Sequence, residues 1–242
     1  MQRILIIGAT SAIAEAVARR FASRAARIHL LGRREHRLRI LADDLTARGA
    51  QTSFSPLDVN AFEAHEPALN EAIDQLGGLD VVLIAHGTLP EQAACDASRT
   101  LALDEFMTNG TSTIALCAAI ASRLQSGGTL AVISSVAGDR GRASNYVYGS
   151  AKAAVSAYLS GLGQALRPSG INVLTVKPGF VDTPMTASFR KGPLWAKPEQ
   201  VAAGIVRAID ARKAVAYVPR FWWAIMFVIK SIPEFLFRRI KL

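Results

Sequence analysis

The chain has 242 residues, about half of them hydrophobic, enough to bury a full α/β core, and no Pro/Gly/Ser-rich linker or charge block divides it. Its formal charge of +9 is uneven: from Arg212 onward seven basic residues face Glu234 alone, which leaves the rest near neutral and excludes a nucleic-acid-binding surface over the body. Cys95, Cys117, His29, His36, His65 and His86 show no ligand or pairing pattern, so a metal site is not expected, and the cysteines read as small buried hydrophobes of a reducing compartment.

Short apolar runs rich in β-branched residues recur at 3–7, 27–31, 52–56, 79–85, 129–135, 171–176 and 214–218, with helical segments between them. Continuous rather than alternating hydrophobicity is what strands covered on both faces require. The pattern predicts one Rossmann-type, doubly wound α/β domain over residues 1–218, with a seven-stranded parallel sheet and about six helices. Ligands of such sheets lie beyond the carboxyl ends of the strands. The first run is also far too short for a signal peptide's apolar region or a membrane span, which predicts a cytoplasmic protein.

After the first strand, Gly8 permits a tight turn, and Thr10 or Ser11 can cap the next helix, whose free N–H groups could receive a diphosphate. Ala12 and Ala14 stand where a glycine-rich loop repeats glycine, so an ordinary strand-to-helix turn stays open. The second strand ends in Gly32-Arg33-Arg34 where an NAD-selecting fold usually carries an acid. Paired guanidinium groups match a 2′-phosphate and favour NADP(H) over NAD(H); the alternative is a solvated basic helix start. Asp58 follows the third strand, placed either to bond an adenine amino group or to cap a helix, and Gly87 follows the fourth, a site of close cofactor approach or a mere turn.

Ser135 ends the fifth strand, 13 residues before Tyr148. In a helix from 146 to 167, Tyr148 and Lys152 lie one turn apart on one face. Tyrosine, with a pKa of about 10, is a poor acid–base catalyst at neutral pH unless a nearby cation favours its phenolate. Such a pair can give a proton to a carbonyl oxygen as hydride arrives, or take it back in reverse.

The Gly8 loop, Asp58, Gly87, Asn109 in TNGTS, Ser135 in ISSVAG, Tyr148 and Lys152 in YGSAK, and Pro178-Gly179 with Thr183 occur in the order and spacing of one family. From residue 3 to about 218 the chain resembles the short-chain dehydrogenase/reductase family. The resemblance implies that Tyr148 donates the proton, that Ser135 bonds the substrate oxygen, and that Lys152 holds the nicotinamide ribose and lowers the Tyr148 pKa. Asn109 would hold a relay water, or else bond backbone inside its helix. Thr183 and the Val181 backbone would meet the nicotinamide amide, with helix capping by Thr183 as the alternative, and Ile13, Val59, Ala85, Pro178 and Gly179 would line the cofactor. The family also suggests a homodimer or homotetramer built through helices near 100–125 and 146–166. His86 departs from the family pattern, as do Ala12 and Ala14, and could meet substrate or be merely tolerated.

Residues 184–197 read as a substrate lid, with Met185, Phe189, Leu194 and Trp195 as an apolar roof, or else as a segment simply packed on the core. The extension 219–242 holds nine consecutive apolar residues, FWWAIMFVI, half of a spanning helix, set between Arg220 and Lys230. It reads as an interfacial element on the inner face of an anionic membrane, or as a subunit interface. Within the family, SSVAGDRGRASNYVYGSAKA, AHGTLPEQA and this basic tail look like the decaprenylphosphoryl-2-keto-ribose reductases, which implies a lipid-linked keto sugar as substrate. A ketoreductase of another ketone is the alternative, and a non-catalytic NADP sensor is the alternative from another class.

Overall fold

In the computed structural model, which describes residues 1–240, the seven apolar runs become one parallel sheet. In chain order the elements are β1 (Arg3–Ile7), α1 (Ala12–Ala22), β2 (Arg27–Gly32), α2 (Glu35–Ala47), β3 (Gln51–Pro56), α3 (His65–Leu76), β4 (Val81–Ile84), α4 (Gln92–Ala97) and α5 (Arg99–Phe106). A π-helical turn, Met107–Thr111, leads into α6 (Ser112–Ala121), then β5 (Thr129–Ile133), α7 (Tyr146–Leu166), β6 (Asn172–Pro178), α8 (Pro198–Asp210), β7 (Val215–Val218), α9 (Trp222–Ser231) and α10 (Glu234–Phe237). Lys241 and Leu242 of the expected tail lie outside the described residues.

The strand order is β3-β2-β1-β4-β5-β6-β7, every pair parallel, so the chain reverses its winding between β1 and β4. That reversal opens a crevice at the carboxyl ends of the strands. Ile4 to Ile7 alternate between two cores, one under α1, α2 and α8 and the other under α3, α6 and α7, and all four are fully buried. Each such side chain contributes about 1.5–3 kcal/mol of burial; truncating Ile6 to Ala would cost about 2–5 kcal/mol through lost burial and the cavity left.

The six expected helices are the ones that flank the sheet. Four more are present among the described residues: α4 and α5, split where the Ser98 hydroxyl caps Leu101 N–H at 3.2 Å, and α9 and α10 in the tail. The tail is not a purely surface element. Trp222 and Met226, one turn apart in α9, are buried against Val136, which directly follows Ser135 in sequence. Arg140 fixes the far end, donating to the Ile229 and Ile232 carbonyls at 2.7 and 2.5 Å and pairing with Glu234 at 2.9 Å. No described helix is long and apolar enough to cross a membrane.

Candidate active site

A cleft of about 470 Å³ opens at the carboxyl ends of the strands. It is lined by Gly8, Thr10, Ser11 and Ile13 after β1, by Arg33 and Arg34 after β2, by Val59 after β3, and by Ala85 and Gly87 after β4. Ser135, Tyr148 and Lys152 line its centre, and Pro178, Gly179, Val181 and Thr183 its far wall. Asp58 and Asn109 do not line it.

Backbone geometry makes the cofactor end. Gly8 has φ +76°, and a Cβ there would sit 2.4 Å from the His86 nitrogen; Gly87 has φ +156°. Both positions demand glycine. The Ser11 hydroxyl accepts from Ala14 N–H at 3.2 Å and caps α1, whose amino end faces the cleft. Ala14 is fully buried in the core, so its departure from the glycine pattern is absorbed by helix packing, and only Ala12 faces the cleft. The Asp58 carboxylate is exposed and accepts from Asn60 N–H at 3.0 Å in a local Asx turn; it neither lines the cleft nor caps α3, whose cap position is Ala64. Arg37 joins Arg33 and Arg34 on the cleft wall and pairs with Glu15 at 3.1 Å. Sequence reasoning missed Arg37, although it stands one helical turn after Arg33.

Ser135 and Tyr148 are held in register by the close packing of residues 134–138 on α7. The Ser134 hydroxyl donates to the Lys152 carbonyl at 3.0 Å, and a Cβ at Gly138 would meet that same carbonyl carbon at 2.7 Å, so only glycine lets the two segments approach this closely. The Ser135 hydroxyl accepts from Ala137 N–H at 3.1 Å and hydrogen-bonds the Tyr148 phenol. Lys152, 2% exposed, donates to the Ile133 carbonyl at 3.2 Å, and its ammonium lies 5.7 Å from the Tyr148 ring centre.

Burial pushes the phenol up to about 12, with the Ser135 hydrogen bond opposing it, and pushes the ammonium down to about 8. The expected lowering of Tyr148 by Lys152 is not what governs the pair, because the ammonium is turned to a carbonyl and both groups are desolvated. At neutral pH the phenol is therefore firmly protonated, the state a proton donor needs.

Asn109 sits fully buried in the π-helical turn. Its Oδ1 accepts from Thr88 N–H at 3.0 Å, and its Nδ2 donates to the Thr88 hydroxyl at 2.9 Å and to the Glu105 carbonyl at 3.0 Å. Two of these three are backbone contacts, as in the alternative reading, one within its own helical segment and one to the loop after β4. His86 lines the cleft, and its Nε2 is held toward α6, 2.9 Å from the Ser112 hydroxyl and 3.1 Å from that of Thr113. Burial first, then Lys152, drives its pKa down to about 3, so the ring is neutral. Thr183 faces the cleft and its N–H donates to the Thr186 hydroxyl at 3.2 Å. Beside it Asp182, its side chain partly solvent-exposed, pairs with Lys191 at the surface.

Residues 2–193 match the family profile described as short chain dehydrogenase. The chain belongs to that family. An uncharacterized oxidoreductase of Streptomyces coelicolor is 38% identical over 98% of this chain and 95% of its own length. An uncharacterized oxidoreductase of Mycobacterium tuberculosis is 35% identical over 98% and 96%. Among solved structures, an actinorhodin polyketide ketoreductase with NADPH superposes with a TM-score of 0.80 at 24% identity, over 90% of this chain and 95% of that one. A short chain dehydrogenase from Burkholderia cenocepacia in complex with NADP gives 0.80 at 22% identity, over 90% and 95%. Like the family, this short-chain dehydrogenase is an NAD(P)-dependent oxidoreductase acting on CH–OH groups. The two glycine positions and the α1 amino end fit a dinucleotide in the cleft, as that chemistry requires.

Proposed function

We propose that this short-chain dehydrogenase is an NADPH-dependent ketoreductase that reduces a keto sugar carried on a polyprenyl phosphate. NADPH would supply the hydride to the carbonyl carbon. Tyr148 gives its phenolic proton to the carbonyl oxygen, Ser135 donates a hydrogen bond to that oxygen, and Lys152 binds the nicotinamide ribose and restores the proton from its ammonium side. Arg33 and Arg34, with Arg37 beside them, would hold the 2′-phosphate, and the NADPH and NADP of the two solved relatives support that choice.

The lipid is supported by one observation above all: the helix anchored beside the site is apolar outside as well as inside. Trp223 and Phe227 stack at 5.7 Å and are 60% and 62% exposed, with Val228 and Phe235 exposed beside them and Arg220, Lys230, Arg238 and Arg239 around them. Aromatic and basic residues together suit the face of an anionic membrane. Residues 184–197 would form the lid, where Met185, Phe189 and Leu194 are exposed next to Phe180. Assembly through the helices near 100–125 and 146–166 belongs to the same reading.

The test is NADPH oxidation by the purified protein with a polyprenylphosphoryl 2-keto-pentose in anionic vesicles. Turnover supports the reading; turnover of soluble ketones alone would leave the ketoreductase and remove the lipid, and no turnover with any ketone would remove both.

A further inference from the structure

The loop between Ser135 and α7 carries Asp139, Arg140 and Arg142, and two of the three have visible work. Asp139 pairs with Lys177 and accepts from the Tyr217 hydroxyl at 2.7 Å. Arg140 is spent on the tail, with its plane 3.8 Å from the Phe237 ring centre. Arg142 is different. It lines the cleft beside Tyr148, its Nε is buried with no hydrogen-bond partner, and its Nη2 meets the sulfur of Met226 at 3.5 Å, a weak acceptor. Among the described residues no carboxylate lies within ion-pair distance of it, Asp139 being engaged by Lys177; burial lowers its affinity for its own proton and the Asp139 charge only partly opposes this.

A half-buried guanidinium whose buried Nε finds no acceptor is costly to keep. Next to it Asn145, also on the cleft wall, has a buried Oδ1 with no donor, and the 21-residue helix α7 begins one residue later with its positive end on the same side. An unused donor, an unused acceptor and a helix amino end thus converge between Tyr148 and the tail helix. An oxyanion with a hydroxyl close by satisfies all three, since guanidinium binds phosphoryl oxygens in paired hydrogen bonds.

We infer that Arg142 and Asn145 form a substrate subsite for a phosphate ester, Arg142 binding the phosphoryl oxygens and Asn145 a neighbouring hydroxyl, so that the ketone reduced here is a phosphorylated, hydroxylated one. The inference rests on the ketoreductase reading for the ketone and on the cleft geometry for the phosphate. The phosphate ester can be a lipid phosphate or a free sugar phosphate. Met226 forms the apolar wall that a lipid chain would follow from Arg142 onto α9.

The experiment is calorimetric titration of the NADP⁺-saturated protein, which cannot reduce anything, with ribose 5-phosphate, ribose, geranyl phosphate and geraniol. We expect each phosphate ester to bind about 10- to 100-fold tighter than its parent alcohol, and Arg142→Met to erase that preference. Arg142→Lys should restore part of it, since the charge returns without the planar fork. NADPH affinity and melting temperature check that each variant is folded; if Arg142→Met is not, Arg142→Gln carries the test. No preference in the native protein, or a preference that survives the loss of Arg142, overturns the inference. Tighter geranyl phosphate points to the lipid source and tighter ribose 5-phosphate to the free sugar. Arg142-dependent phosphate binding without turnover of any ketone would sink the proposed function while leaving the subsite standing.

Discussion

The Trp222 indole fills the space that a side chain at Gly179 would need: a Cβ at Gly179 would lie 1.9 Å from two atoms of the ring. Gly179 belongs to the turn after β6 that walls the cleft, so the tail helix is packed against the back of the active site itself. Phe180 extends the contact, meeting Trp222 edge-on at 5.2 Å and stacking on Trp195 at 5.3 Å.

Gly179→Ala should therefore expel Trp222, loosening α9 and the cleft wall together. Trp222→Ala, which leaves a cavity instead of a clash, is expected to cost about 3–5 kcal/mol. Urea unfolding of both variants, with NADPH affinity measured alongside, checks this; an unchanged midpoint for Trp222→Ala would show that the tail carries no stability.

Tyr148→Phe removes the proton donor and little else. Its turnover should fall by about 10²- to 10⁴-fold while NADPH binding, followed by fluorescence, stays within a few-fold. Full activity in this variant would sink the mechanism.

Arg33 and Arg34 are exposed and reach the cleft from the end of β2. Replacing both with Ala should weaken NADPH by about 10- to 100-fold and leave NADH nearly untouched, because charge-assisted hydrogen bonds to phosphate are lost. Parallel titrations with the two nucleotides decide it, and equal weakening of both would assign the arginines to the helix surface.

Trp223 and Phe227 should govern membrane contact. Double replacement by Ser is expected to abolish co-flotation with phosphatidylglycerol-rich vesicles without lowering the melting temperature, since both rings are solvent-facing. Equal flotation of native and variant protein would remove the tail from that role.

His29 is fully buried between the Ser53 hydroxyl at 2.8 Å and that of Ser55 at 3.3 Å, and burial lowers its pKa to about 4. The unfolded chain binds the proton at about pH 6.5 and the folded one only below about 4, so stability is lost as pH falls through that window, by about 3 kcal/mol for this group. His29→Asn should flatten the fall in unfolding midpoint between pH 7 and 4; an identical slope would place the acid sensitivity elsewhere.

Local chemistry was readable from the chain alone. All seven strands were legible to within a few residues; the five inner ones stood out because burial on both faces leaves few polar positions, while the edge strands β3 and β7 are partly exposed and carry a weaker apolar signal. Ser135, Tyr148 and Lys152 were legible for a related reason: two of them share a helix face, and the third ends a strand at the sheet's ligand edge. What the sequence could not settle were contacts between segments far apart in the chain. Asn109 was placed correctly in a helix, yet its bonds to Thr88 and the π turn depend on how the loop after β4 crosses it. The upward shift of Tyr148 and the downward shift of Lys152 come from burial, which depends on what surrounds both groups and not on their separation along the helix. Likewise Arg140 and Arg142 are alike in the sequence; only the packing of α9 on Val136 and Gly179 gives one of them carbonyl and carboxylate partners and leaves the other lining the cleft with its Nε unpaired.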